Sequence, residues 1–367
     1  MRLLKVVVRG ASLFAGDTFT MDFFASDRVS GRDGPAYNHV HRLGGHGSIY
    51  SQNVVGISGV NASGKSTALE IVRMALDLVG APYYVRRDGA GRKVLAKIMG
   101  SVSVTVIFWR EGSFYLLEAE LQVLKTEDEE GGLDRYRIED ETIWRLTTPR
   151  PSKAMMGDIE AFKRNAEVFM QRHGQMRDGE YLLAEAQSFM GDHASKPAGL
   201  GAPEQGGGRF EPSGVLKTAH ATAITRAFDS SVEHLTWDEG ADAFRLKFFG
   251  EEEHMVSAEI IPSVLSHGTV IGISVVERAL EQLRIGGFML VDGIEAGLNR
   301  SLVKTLVELF QSHVSNPEGA QLVFTTHYVE LLDFLPRKDD VYLLVRGKGH
   351  AIDVVKYSLL FSLSPIV

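Results

Sequence analysis

The chain has 367 residues, a formal net charge of −8, 44% hydrophobic residues and 23% charged residues. These proportions are ordinary for a globular protein, and they supply enough apolar side chains for a large core. An acidic chain of this kind excludes a general polyanion-coating role, although a local basic patch can still bind nucleic acid. Because there is no cysteine, disulfide bonds, thiolate metal sites and cysteine nucleophiles are also excluded.

The N-terminal segment, Met1 to Arg9, is too short and too interrupted by charge to be a secretory leader. No window of the sequence approaches the roughly 18 apolar residues that a membrane-spanning helix requires. We therefore predict a soluble, cytoplasmic protein with no membrane partner.

The first part of the chain, residues 1–149, combines strand patterns with one strong helix pattern. That helix carries Leu69, Val72, Leu76 and Val79 on one face. In chain order we predict strands at 3–8 and 17–24, a loop at 25–47 and a strand at 54–58. The helix then follows and ends at Gly80 and Pro82, and a hairpin is predicted at 101–109 and 113–122.

Residues 150–214 differ in character and are predicted to form a helical insertion. The apolar residues at helical spacing fall into two sets, Ile159, Phe162, Ala166 and Phe169, then Leu182, Leu183, Ala186 and Phe189. Five glycines between Gly199 and Gly208 then predict a flexible loop.

The last part, residues 215–367, alternates strands with helices. We predict strands at 243–249 and 255–261, a helix at 270–285, a strand at 288–291, a helix at 299–313, a strand at 321–325 and a hairpin at 341–345 and 351–357. This alternation predicts a mainly parallel sheet with helices on its faces.

A glycine-rich segment follows the strand at 54–58, and it matches the pattern G-x-x-x-x-G-K-[ST] at every fixed position. Glycines let backbone N–H groups point at phosphates, and the following helix N-terminus adds partial positive charge. Lys65 is then expected to reach the β- and γ-phosphates of a nucleotide, and Ser66 to ligate magnesium. The predicted nucleotide-binding residues here are Gly59, Asn61, Ala62, Ser63, Gly64, Lys65, Ser66 and Thr67.

An acidic residue, Asp292, ends the buried strand at 288–291. A carboxylate at the end of a rigid strand beside a phosphate loop can hold magnesium. Many core strands end in aspartate, so Asp292 indicates a magnesium site only in combination with other segments of the sequence. These are Leu265-Ser266-His267-Gly268-Thr269 upstream, Ala296-Gly297-Leu298-Asn299 downstream, and Val323-Phe324-Thr325-Thr326-His327 at the end of another strand.

The order of these segments resembles an ABC ATPase head, with Walker A, signature, Walker B, D-loop and H-loop motifs. Within that class it is most similar to the SMC, RecF and OLD-like ATPases, which are common in bacterial antiphage defence. The resemblance covers roughly residues 1–125 and 215–357. It implies an α/β P-loop NTPase with a mainly parallel sheet, an antiparallel β portion and an inserted helical arm, and it implies ATP and Mg²⁺ as ligands.

The resemblance also implies roles for residues outside the glycine-rich loop. Ser266, Gly268 and Thr269 would form a signature face that contacts the γ-phosphate of ATP held by a second subunit. A simple helix cap is the alternative role for this segment. His327 would sense the γ-phosphate. The implied assembly is a homodimer or a larger homo-oligomer with ATP between subunits.

Gly293 departs from the family pattern, because the residue after the Walker B aspartate is usually a glutamate that polarises the attacking water. Three explanations stay open: Glu295 takes over that role, hydrolysis is slow so that ATP locks subunits together, or the residue was substituted to trap ATP. We predict an ATPase of weak turnover, with Lys65, Asp292, Glu295 and His327 as catalytic residues. The usual Q-loop glutamine is also missing, since Gln122 is the first glutamine after Lys65.

Two weaker clusters are more simply explained as surface loops. A basic group could bind nucleic acid, but a solvated loop is favoured; it consists of Arg86, Arg87, Arg92, Lys93 and Lys97. Three histidines hint at a metal site but lack an acidic ligand at suitable spacing; they are His39, His41 and His46.

Taken together, the sequence predicts an ATPase that acts as sensor or regulator in antiphage defence. The 40 residues after His327 lack a nuclease pattern, so the effector, a nuclease or toxin, would be a separate protein. One alternative is a RecF-type ATPase of DNA repair or chromosome maintenance. Another, favoured by Gly293, is a nucleotide-gated scaffold with little turnover.

Overall fold

A computed structural model describes residues 1–29, 39–44, 49–81, 83–86, 100–124, 135–173, 190, 216, 218, 220–296, 298–347 and 349–362. These residues form a mixed α/β structure with several sheets, which confirms the predicted mixed α/β class.

The central sheet has six strands, all parallel except for one antiparallel edge strand. In spatial order they are β17 (Ile352–Lys356), β16 (Val341–Arg346), β5 (Val54–Ser58), β15 (Gln321–Thr326), β14 (Phe288–Val291) and β6 (Tyr83–Arg86). Strands β5, β14 and β15 are buried along their whole length. Continuous apolar runs suit them because a parallel sheet is covered on both faces.

A second, six-stranded sheet is antiparallel throughout. Its spatial order is β10 (Ala166–His173), β9 (Arg135–Leu146), β8 (Ser113–Leu124), β7 (Ser101–Arg110), β1 (Arg2–Arg9) and β2 (Thr18–Asp22). Helix α1 (Lys65–Leu78) packs between this sheet and the central sheet, and one apolar core contains residues from all three. Almost every side chain of α1 is consequently buried.

The other face of the central sheet is covered by helices α6 (His267–Ile285) and α7 (Arg300–Gln311). A small three-stranded sheet with its own core adjoins α6. That unit comprises α4 (Ala221–Phe228), β11 (Val232–Asp238), β12 (Ala243–Phe248), β13 (His254–Ser257) and α5 (Ile261–Val264). The remaining elements are β3 (Val40–Leu43), β4 (Ile49–Gln52), α2 (Lys153–Gly157), α3 (Ile159–Lys163), α8 (Tyr357–Ser362) and 3-10 turns at Ala15–Asp17, Val329–Phe334 and Lys338–Asp340.

The prediction that residues 150–214 are helical is wrong for part of the segment that the structure describes. Ile159 and Phe162 of its first apolar set do lie in helix α3, but Ala166 to His173 is strand β10. A register shift between Val168 and Met170 places Phe169 in a bulge, where its ring packs edge-on against Tyr115. This bulge breaks the two-residue alternation by which a strand is recognised. The second predicted helix and the glycine-rich loop lie outside the described residues.

Several smaller differences concern element bounds. The predicted loop at 25–47 contains strand β3, and the predicted strand at 255–261 ends at Ser257 before helix α5. Strands β6, β9 and β11 were not predicted. The division into 1–149, 150–214 and 215–367 stays a prediction. No helix in the described part of the chain is long and apolar enough to cross a membrane.

A cluster of charged residues, Arg337, Asp339, Asp340 and Lys356, surrounds the start of β16. Asp340 is 1% exposed, and the side chain of Gln52 lies near its carboxylate. Burial and the neighbouring Asp339 raise the pKa of Asp340 well above its usual value, against the opposing charges of Arg337 and Lys356. The folded state therefore binds this proton more tightly than the unfolded chain, so the stability contributed by Asp340 falls as pH rises.

We expect Asp340→Asn to increase the free energy of unfolding by about 1–3 kcal/mol at pH 8, because it removes a buried charge. The gain should be smaller at pH 5 than at pH 8, because lowering the pH protonates more of the native carboxyl and so leaves less buried charge for the variant to remove. Urea denaturation at both pH values measures this, with the exposed Asp333→Asn as a matched control. An equal gain at both pH values would contradict the assignment.

Candidate functional site

The glycine-rich loop lies between strand β5 and helix α1, at the end of the central sheet where the parallel strands finish. Ala62 and Gly64 have φ angles of +59° and +84°. A Cβ added to Gly64 would lie 2.6 Å from Ile352 Cδ1, so both space and backbone favour glycine there. Gly64 caps the helix without a side-chain hydrogen bond. The N–H groups of the first helical turn are thus open to a ligand, as at anion-binding helix starts.

Lys65, the first residue of α1, is buried, and its ammonium folds back over the loop. Its Nζ donates to the carbonyl oxygens of Gly59 at 2.8 Å and Val60 at 3.0 Å. It also lies 3.2 Å from His327 Nδ1. Burial lowers the pKa of Lys65, while Asp292 and Glu295 act in the opposite direction. An anion bound in front of Lys65 would favour its charged form.

Asp292 follows β14 directly and is fixed from the neighbouring strand. Thr325 Oγ1 in β15 donates to Asp292 Oδ1 at 2.6 Å and accepts from the Gly293 N–H at 2.7 Å. The Thr325 carbonyl oxygen accepts from the Ile294 N–H at 2.9 Å. One threonine therefore holds the whole turn after Asp292. Sequence reasoning gave Thr325 no role, although it lies in the Phe-Thr-Thr-His stretch used to place His327.

Gly293, the residue directly after Asp292, has a φ of +62°. This left-handed conformation costs roughly 1–2 kcal/mol for a residue with a side chain. The turn is thus built for glycine in its observed form.

Glu295 lies close by and connects the two strand ends. Its Oε1 accepts from the His327 N–H at 2.9 Å. Its Oε2 is buried and has no hydrogen-bond partner among the described residues. In the described conformation this oxygen is enclosed by protein and keeps an unused acceptor position.

Two clefts open over these residues, with volumes of about 400 Å³ and 520 Å³. Such volumes are typical of small-molecule sites. The first cleft is lined by Leu13, Asn61, Ala62, Ser63, Gly64, Lys65, Ser66, Thr67, Asp292, His327 and Arg346. The second is lined by Asn61, Ser66, Asp292, Gly293, Glu295, Ala296, His327 and Tyr328.

The structure thus brings the predicted loop residues, Asp292, Glu295 and His327 together. It also adds Leu13, Arg346 and Tyr328, which sequence reasoning missed. Leu13 and Arg346 come from opposite ends of the chain and belong to no motif, so only the fold reveals them.

The predicted signature residues do not line either cleft. Ser266 is the N-cap of α6, where its Oγ accepts from the Thr269 N–H at 3.1 Å and lies 2.8 Å from Thr269 Oγ1. Thr269 is buried, whereas Ser266 is exposed. Within this chain, the segment does what the alternative prediction described: it caps a helix.

Ser66, which carries a hydroxyl, and Asp292, which carries a carboxylate, line both clefts. Oxygen atoms of this type are the ligands that Mg²⁺ prefers. Among the described residues, no group of three or more His, Cys, Asp or Glu side chains is arranged to hold a metal ion.

The histidine cluster at 39–46 gains no support as a metal site. Burial and the nearby Arg2 lower the pKa of His41 to about 4, and its ring lies 6.4 Å from that of His313. His46 and all of the predicted basic cluster except Arg86 lie outside the described residues. The basic cluster stays a prediction.

Comparison with known proteins finds similarity to solved structures. No protein-family description and no curated protein matches the chain. Among solved structures, it is similar to the SMC head domain from Thermotoga maritima. The two are 14% identical, the match covers 97% of this chain and 99% of that chain, and the TM-score is 0.42.

We expect Thr325→Val to lower the free energy of unfolding by about 1–3 kcal/mol, because it leaves the Gly293 N–H without an acceptor and Asp292 without a donor. The matched control is Thr305→Val on α7, whose hydroxyl makes only an exposed bond to the Ser301 carbonyl. Urea denaturation of both variants measures the difference. Equal losses would show that Thr325 does not secure the turn.

Proposed function

We propose that the chain binds a nucleoside triphosphate, with ATP as the expected ligand, and Mg²⁺ in the clefts over the glycine-rich loop. The observation that carries the proposal is the meeting of three features in one cleft. These are an open helix N-terminus, the buried ammonium of Lys65 and the fixed carboxylate of Asp292. The first two favour phosphate, and the third favours the metal that accompanies it.

The residues present fit a magnesium ion. Ser66 and Asp292 would hold it, since both line the two clefts and both offer oxygen. When bound, Mg²⁺ neutralises charge on the phosphates. Lys65 would exchange the loop carbonyls for phosphate oxygens, which are stronger acceptors for an ammonium.

Glu295 is our candidate for the general base. Its Oε2 is buried and unpartnered among the described residues, and it lines the cleft that Asp292 and His327 also line. A carboxylate in this position can accept a proton from a water that attacks the terminal phosphate. The main chain at His327 would stay in place throughout, because Glu295 Oε1 accepts from the backbone N–H of His327.

A second copy of the chain would complete the arrangement. Support comes from the exposed Ser266 and from exposed apolar side chains beside the clefts, Val60, Tyr328 and Val329. The antiphage role with a separate effector, and the RecF-type alternative, stay predictions that rest on the sequence motifs. Sedimentation with and without ATP tests the assembly, and a mass that ATP leaves unchanged would contradict it.

We expect Lys65→Ala to weaken Mg²⁺-dependent ATP binding at least ten-fold, because the variant removes the cation that faces the phosphates. Isothermal titration calorimetry measures this. The matched control, Lys304→Ala, removes an exposed lysine of α7 and should bind as the parent does. A parent chain that binds neither ATP nor GTP would refute the proposed function.

We expect Glu295→Gln to bind ATP normally but to hydrolyse it about 10²–10⁴-fold more slowly, the usual contribution of a general base. Glutamine can still accept from the His327 N–H, so this variant removes the base and leaves the turn intact. Phosphate release under saturating ATP measures the rate. A variant as active as the parent would exclude Glu295 as the base.

Gly293→Glu separates an ATPase from a nucleotide-gated scaffold. We expect no gain in rate over Gly293→Ala, because any side chain strains the left-handed backbone at this position. If the parent binds ATP without turnover and Gly293→Glu restores turnover, the scaffold function is favoured. That outcome would also show that the turn can adopt another conformation.

A further inference from the structure

Part of the first cleft lies away from the residues that are proposed to act on the terminal phosphate. The two clefts share Asn61, Ser66, Asp292 and His327. From these residues, the second cleft continues to Glu295 and Tyr328, on the side of the proposed hydrolysis. Leu13 and Arg346 line only the first cleft. A nucleotide whose terminal phosphate faces Glu295 therefore has its other end towards Leu13 and Arg346.

The wall that carries Leu13 and Arg346 is rigidly attached to the phosphate loop. The Ile352 N–H donates to the Leu13 carbonyl at 3.0 Å, and Arg346 pairs with Ile352 across the β16–β17 hairpin. At Gly64, the point where a Cβ would be lies 2.6 Å from Ile352 Cδ1 and 3.6 Å from Leu13 Cδ2. The loop thus rests on this wall, and the distance from phosphates to wall is fixed by packing.

The chemistry of the wall suits a flat, partly apolar group. Leu13 offers a half-buried hydrocarbon surface, and Arg346 is exposed with no ion pair to another described residue. A guanidinium is planar and stacks on the faces of aromatic rings. Because every nucleobase has such a face, stacking binds bases with little regard to their identity. Lys65 and the helix N-terminus already provide positive charge for the phosphates.

We infer that Arg346 and Leu13 form a nucleobase-binding wall, in which the Arg346 guanidinium stacks on the base. This inference rests on the proposed function and deepens it. The wall distinguishes nucleotides from inorganic polyphosphate, and it accepts adenine and guanine to similar degrees.

The test compares binding of Mg²⁺-ATP, Mg²⁺-GTP and inorganic tripolyphosphate to the parent, Arg346→Ala and Arg346→Lys by calorimetry. We expect Arg346→Ala to weaken ATP and GTP alike by about ten-fold, within the range measured for loss of one stacking partner. Tripolyphosphate should bind all three proteins equally. Arg346→Lys should resemble Arg346→Ala, because lysine keeps the charge but lacks the plane. Arg284→Ala, an exposed arginine in the last turn of α6, is the matched control.

Each contrary result has a distinct meaning. A comparable loss of tripolyphosphate binding, or full rescue by Arg346→Lys, would overturn the inference, because Arg346 would then act as a charge on the phosphates. Unchanged nucleotide binding by Arg346→Ala would also overturn it. If Arg346→Ala weakens the binding of only one of ATP and GTP, the stacking inference is also overturned, because Arg346 would then recognise that base by hydrogen bonds. In all these cases the parent still binds nucleotide, whereas failure of the proposed function would abolish binding in the parent itself.

Discussion

The site depends first on the enclosure of helix α1. Two sheets cover this helix, so its N-terminal residue cannot shift without disturbing a core shared by both. The enclosure extends to charged residues: Arg73 is buried, with Nε 2.8 Å from Glu70 and Nη1 2.6 Å from Asp77. Both carboxylates belong to α1 itself, and the helix is tied to the central sheet by the hydroxyl of Tyr83 in β6, which donates to Asp77 Oδ1 at 2.6 Å. The glycine-rich loop leads directly into α1, so the packing of the helix also holds the loop in place.

A second constraint comes from the order of the central sheet. Strands β5, β15 and β14 are parallel neighbours, so the loop before Lys65, the segment at His327 and the turn at Asp292 emerge side by side. Ligand sites in parallel sheets commonly lie at these carboxyl ends. Thr325 adds local precision, since one side chain and its own carbonyl hold the turn on the neighbouring strand. Rigid strands, rather than loops, therefore position most of the polar groups.

The sequence was informative where a contiguous pattern carries the chemistry. The glycine-rich loop, the buried strands and the helix after residue 64 could be predicted because local spacing determines each of them. The strand at Ala166–His173 could not, because its bulge at Phe169 replaces the expected alternation. Leu13 and Arg346 could not be predicted as cleft residues for another reason: long-range contacts at Ile352 bring them together. The left-handed backbone of Gly293 is likewise invisible in the sequence, where the glycine shows only as a missing glutamate.

The bond from the His327 N–H to Glu295 has a consequence for how the site can change over evolutionary time. One residue both anchors a neighbouring strand end through its carboxylate and lines the cleft. Replacing Glu295 by a residue without an acceptor would alter two properties in a single step, the anchoring of the main chain at His327 and the chemistry of the cleft. Position 293, by contrast, contributes only a bend. Natural variation should therefore be narrow at Glu295, whereas a glutamate at 293 would require the turn to be rebuilt as well.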